Sequence, residues 1–142
     1  MATIEEIIQK YVTPGSTAID VGANVGEVTR ALAARVGGLG CVVAFEPNPE
    51  PFKELLAMSQ YAAPYQNIST AQIAISHVEQ PYKCFVRRAD KFWTLIEPIN
   101  DETDGAGFMA WFWGLWDWSI TYQKLFNVCL PPISFIKVDT DG

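Results

Sequence analysis

The stretch Ile19-Asp-Val-Gly-Ala-Asn-Val-Gly26 constrains this chain more than any other. An apolar run carries Asp20 at its end, breaks at Gly22 and Gly26, and leads into residues 27–36, which have helical spacing with Val28, Ala31, Leu32 and Val36 on one side. Gly37, Gly38 and Gly40 stop that helix and turn the chain back. A second strand-like run, Cys41-Val-Val-Ala-Phe45, follows and is tipped by Glu46. A strand, a glycine-spaced turn, a helix and a second strand ending in a carboxylate form half of a nucleoside-binding site.

The rest of the chain extends this alternation. Residues 3–12 have Ile4, Ile7, Ile8 and Tyr11 on one helical face, and Pro14-Gly15 ends that segment. Residues 16–21 read as a first strand, apolar enough to be buried on both sides as parallel strands are. Pro47, Asn48 and Pro49 form a turn before a second crossover helix at 50–60. Residues 67–75 read as a third strand, with Ile68, Ala71, Ile73 and Ile75 its apolar members, and 82–87 as a candidate additional strand. Residues 97–107, rich in Asp, Glu, Gly and Asn, read as an exposed loop. The final strand is Ile133–Asp139, and neither internal repeats nor low-complexity tracts interrupt the pattern.

Strands alternating with helices imply a single α/β domain over 1–142, with a mostly parallel sheet and right-handed crossovers. Ligands of such sheets bind at the carboxyl ends of the strands, near the point where strand order reverses. Asp20, Glu46, Ser76 and Asp139 all fall at such ends.

Composition narrows the partners. A net charge of −6 argues against general nucleic-acid binding, which needs Lys and Arg to neutralise phosphates. The N-terminus has no apolar signal core, and no apolar run reaches the roughly 18–20 residues that cross a bilayer, so the expectation is a cytoplasmic protein without stable membrane insertion. Cys41, Cys84 and Cys129 lack metal-ligand spacing and read as reduced, inert thiols. Trp111, Trp113, Trp116 and Trp118, with Phe108 and Phe112, fit neither the helical nor the strand period. They read as an apolar cover on the sheet, with a wall for an apolar or sugar acceptor, or a membrane-surface or subunit contact, as alternatives.

The segments Ile19–Glu27, Val43-Ala-Phe-Glu-Pro-Asn-Pro-Glu50 and Phe135-Ile-Lys-Val-Asp-Thr-Asp-Gly142 resemble the three signature blocks of FkbM-like methyltransferases. The resemblance covers 16–76 and 133–142, with little in 77–132. It implies the Rossmann-like class I methyltransferase fold, dependence on S-adenosyl-L-methionine, and action on a hydroxyl of a sugar or small metabolite. By resemblance, Asp20 lies near the ammonium end of the methionine moiety. Gly22 and Gly26 remove side chains where backbone passes close to a ligand, and Asn24 is the non-glycine residue best suited to a left-handed turn. Backbone N–H groups opening the helix after residue 26 suit the cofactor's carboxylate. Glu46 follows Gly22 at close to the roughly 20-residue interval at which an acid grips ribose hydroxyls, and Pro47 flanks it. The family's acidic residue near adenine is replaced by His77, leaving Ser76 or backbone groups for that contact. His77 itself reads as a surface residue, or alternatively as an acceptor contact or proton shuttle.

Asp139 is expected to orient or deprotonate the acceptor, with Asp141 supporting, although both acids also suit a strand end and helix cap. Two other site readings compete. A nicotinamide-binding domain wants Gly-x-Gly-x-x-Gly, but Asn24 stands where its second glycine admits a pyrophosphate. Asp139-Thr-Asp141 also matches the Asp-x-Asp metal motif of glycosyltransferases, which does not need the glycine turn. Only four core strands are legible, or five with 82–87, against the family's seven. The chain therefore reads as C-terminally truncated, its last strand lying beside the first with an unpaired edge that calls for a homodimer or another partner. On that view the rival to an active enzyme is a non-catalytic cofactor-binding or interaction module left by truncation.

Overall fold

The computed structural model describes residues 1–61, 66–76, 82–88, 94–97 and 107–139. In chain order the elements are α1 (Ile4–Tyr11), β1 (Thr17–Val21), α2 (Glu27–Val36), β2 (Cys41–Phe45), α3 (Pro49–Tyr61), β3 (Ile68–Ala71), β4 (Ala74–Ile75), β5 (Tyr82–Arg88), β6 (Thr94–Glu97), β7 (Gly107–Trp113), α4 (Leu115–Phe126) and β8 (Ile133–Val138). The fold is Rossmann-like α/β.

One four-stranded sheet has the order β3-β2-β1-β8, and its three pairings are all parallel. Strand order therefore reverses at β1, whose neighbours run to β2 on one side and to β8 on the other. Every residue of β1 is buried, as an apolar strand covered on both faces must be. Alternation sends Ala18 and Val42 to one face, where they meet Ile8, Val12, Leu32, Ala33 and Val36 of the α1–α2 layer. Ala44, on the same face, packs with Ala23 and with Leu55 of α3. Ile19, Val21, Val43 and Phe45 take the other face, under Leu115 and Trp118 of α4.

Local chemistry sets the helix ends. Thr3 and Glu6 form a reciprocal capping box on α1, each side chain accepting from the other's backbone N–H at 3.2 and 2.9 Å respectively. Asn48 opens α3 by accepting the Glu50 N–H on its side-chain oxygen at 3.1 Å, with Pro49 at the first helical position.

The segment 67–75 is not one strand. Residues 68–71 pair with β2, whereas Ala74 and Ile75 pair in parallel with Phe112 and Trp113 of β7 in a second sheet of order β4-β7-β5-β6. The additional strand expected at 82–87 is present as β5, antiparallel to both β6 and β7. The loop expected at 97–107 falls mostly outside the described residues. The aromatic run resists a single period because it crosses an element boundary: β7 ends at Trp113, Gly114 caps α4, and the remaining tryptophans are helical. Trp118 packs edge-on against Phe45 with ring centroids 4.8 Å apart and stacks on Tyr122, so this part of the run does cover the sheet, while Trp116 is exposed.

As expected, β8 lies beside β1, and it is the outer strand of the sheet among the described residues. Ile133, Ile136 and Val138 are exposed along it. No described helix is long and apolar enough to cross a membrane. Cys41 and Cys129 are free thiols.

Phe45 is wholly buried and carries the contact to α4. Phe45→Ala is expected to lose about 3–5 kcal/mol of stability. Urea denaturation followed by tryptophan fluorescence checks this, and the native emission itself should shift as Trp118 loses its neighbour.

Candidate functional site: the glycine turn at the strand reversal

The turn between β1 and α2 is bent by three left-handed residues: Gly22 at φ +80°, Asn24 at φ +53° and Gly26 at φ +98°. Asn24 takes the conformation its residue type tolerates best after glycine. The N–H groups of Gly22 and Ala23 both donate to the Phe45 carbonyl at 2.9 Å, and the Gly26 N–H donates to the Ala23 carbonyl at 3.0 Å. The tip of β2 thus holds the first half of the turn from below.

Glu46 holds the second half. Its carboxylate accepts the Asn24 N–H on Oε2 and the Asn48 N–H on Oε1, both at 2.9 Å. It is only 7% exposed, so these bonds also satisfy a charge withdrawn from water. Pro47, half-buried, separates Glu46 from the Asn48 cap of α3.

Gly26 is the N-cap of α2, with no side-chain cap bonded to the helix start. An α-helix leaves its first N–H groups without internal acceptors and concentrates positive potential there, so this end suits an anion. The glycine at position 26 is explained by α3: an added Cβ would come within 2.4 Å of Met58 Cε and 3.0 Å of Leu55 Cδ1. Its small size therefore serves helix packing and a left-handed φ.

Asp20 is fully buried and turned into the sheet–helix interface. Thr29 Oγ1 of α2 donates to Oδ2 at 2.6 Å, and Lys137 Nζ of β8 lies 2.9 Å from Oδ1. That ion pair is off the hydrogen-bond direction, and Oδ1 makes no directional bond. The lysine's well-formed hydrogen bond goes instead to the Gly22 carbonyl at 3.0 Å. Lys137, which residue patterning does not single out as a site residue, is the one cation inside the run Ile133–Val138.

Asp139 follows β8 directly. Its N–H donates to the Val21 carbonyl at 3.0 Å, which sets its exposed residue beside the entrance to the turn. Asp20, Gly22, Asn24, Gly26, Glu46 and Asp139 therefore gather at one end of the sheet. Ser76 sits past β4 in the second sheet, where its N–H donates to the Trp113 carbonyl at 2.9 Å. His77 and Asp141 lie outside the described residues. Among the described residues no cluster of His, Cys, Asp and Glu could hold a metal.

A parallel α/β sheet with a braced glycine turn and an acidic strand tip at its reversal point defines a Rossmann-like domain. A model of the methyltransferase FkbM domain matches residues 20–108, and the chain belongs to that family. The match continues through 77–108, beyond the first two signature blocks, and stops short of the 133–142 block. Among solved structures, a Clostridium thermocellum protein that carries the provisional description rRNA-methylase is similar at a TM-score of 0.46 and 20% identity, over 49% of this chain. The likeness spans 39% of that protein's chain. No curated protein matches.

Gly26→Ala places a side chain at a positive φ and against Leu55. It is expected to cost about 1–3 kcal/mol, read as a lower denaturation midpoint with an unchanged denaturant slope.

Proposed function

We propose that this chain binds S-adenosyl-L-methionine at the Gly22–Gly26 turn and methylates a hydroxyl oxygen on a sugar or other small metabolite. The observation that carries the reading is the bond between the Glu46 carboxylate and the Asn24 N–H, which fixes the acidic tip of β2 against a left-handed turn leading into an uncapped helix start. The residues present fit such a cofactor. The open N–H groups of α2 suit its carboxylate. Backbone donors from the turn and from the start of α3 orient Glu46, and a carboxylate is the acceptor type that grips neighbouring ribose hydroxyls.

When bound, the cofactor supplies a methyl group already activated on a sulfonium. The chain's own tasks are alignment and the movement of one proton. The turn would hold the amino-acid half, with Asp20, which the family resemblance sets toward the ammonium end, buried behind it. Glu46 and Pro47 would hold the ribose, and Ser76 the adenine amino group. Asp139, exposed beside the turn, would orient the acceptor hydroxyl and take its proton as the oxygen attacks, with Asp141 supporting it. A cytoplasmic setting suits this cofactor.

Calorimetry with S-adenosylhomocysteine followed by a methyl-transfer assay tests the reading. Binding with transfer supports it, and binding without transfer favours a non-catalytic cofactor module. Absence of binding defeats both. Within the enzyme reading, Asp139→Asn should lower kcat by about 10²–10⁴-fold with S-adenosylhomocysteine affinity nearly intact. Glu46→Gln should weaken that affinity by roughly tenfold or more, the loss of one charge-assisted hydrogen bond. Unchanged turnover in the first variant would remove Asp139 from the mechanism.

A further inference from the structure

We infer that Lys137 is a positioning residue that sets the shape of the Gly22–Gly26 turn and, on the cofactor reading above, the affinity of the site. Asp20 and Lys137 are direct partners in the parallel register of β1 and β8. Neighbouring strands are about 4.8 Å apart, so both side chains leave the same face of the sheet next to each other. An ammonium group drawn out of water needs acceptors, and Lys137 is 14% exposed beside a carboxylate that is wholly buried.

The obvious role for such a lysine is counter-ion to Asp20. The geometry assigns it a second role. Lys137 Nζ is near Asp20 Oδ1 but off the hydrogen-bond direction, while its directional bond is made to the Gly22 carbonyl at 3.0 Å. Gly22 is the first left-handed residue of the turn, and its N–H is already anchored to the Phe45 carbonyl of β2. Lys137 anchors the opposite side of the same residue from β8. The peptide joining Gly22 to Ala23, whose N–H also donates to the Phe45 carbonyl, is thus gripped from both neighbouring strands, and its rotation is blocked. A ligand that meets the turn through backbone groups then finds it already shaped, which lowers the ordering cost of binding.

The two roles separate in a set of four proteins: wild type, Lys137→Met, Asp20→Asn and the double variant Asp20→Asn/Lys137→Met. Thermal denaturation reports the charge pair. Amide hydrogen exchange at Ala23 and Gly26 reports the turn, since both N–H groups are bonded within it or to β2. Calorimetry with S-adenosylhomocysteine reports the site.

Lys137→Met orphans a buried carboxylate and should lower Tm, and the double variant should recover much of that loss. If Lys137 shapes the turn, exchange at Ala23 and Gly26 stays at least about tenfold faster than wild type in the double variant, despite the recovered Tm. Its affinity for S-adenosylhomocysteine should be roughly tenfold weaker than that of Asp20→Asn, which already lacks the Asp20 charge but keeps the lysine. Wild-type exchange rates in the double variant would overturn the inference and leave Lys137 a counter-ion only. Should Lys137→Met fail to fold, the double variant, which carries no orphaned charge, still decides between these outcomes. A wild-type protein that gives no heat with S-adenosylhomocysteine would defeat the cofactor reading, while the exchange rates would still decide whether Lys137 holds the turn.

Discussion

A carboxylate with no exposure to water ties together the elements that meet at the strand reversal. Asp20 belongs to β1, its hydroxyl donor to α2 and its cation to β8. Burying a charge in this way is tolerable only when partners replace its hydration, and removing one partner of a buried pair costs about 3–5 kcal/mol. A domain whose whole stability is of order 5–15 kcal/mol cannot readily give up such a contact. The exit angle of α2 and the seat of β8 are therefore coupled through one side chain. Thr29 and Lys137 reach it from different directions, and neither can move without exposing the charge to an unpaired environment.

The site above that brace is built mainly from backbone groups. The Phe45 carbonyl receives two N–H groups from the turn, and the Glu46 carboxylate receives two more, one from the turn and one from the cap of α3. β2 thus organises both the turn before it in sequence and the helix after it. This explains why the acid sits at the tip of β2. There it can hold the turn and the start of α3 while its own charge is satisfied by fixed donors. Gly26 has a comparable double duty, since it caps α2 and lets Leu55 and Met58 of α3 approach.

The legible parts of this chain were those set by short-range pattern. The strand, turn, helix and strand over 17–45 are encoded by apolar periodicity and by glycine and asparagine at left-handed positions, so they are readable within a window of about thirty residues. The position of β8 next to β1 was also expected, from family resemblance. The break between β3 and β4 was not legible. Ile68, Ala71, Ile73 and Ile75 all look like members of an apolar strand, and nothing local says that Ile75 pairs with Trp113 in another sheet. The aromatic run defeated period analysis because it joins a strand to a helix at Gly114, and each half is too short to show its own period.

Residue order alone encodes the parallel α/β class, the bend between Gly22 and Gly26 and the acid at the tip of β2, because backbone conformation and side-chain alternation are local consequences of residue type. What the charges do is set by the packing of distant strands. Whether Asp20 faces a ligand or a neighbouring strand, and whether Lys137 is a surface cation or an anchor for the Gly22 carbonyl, depends on the register of two strands separated by most of the chain. That register is fixed by how the sheet packs against its helices, and no stretch of residues read alone contains it.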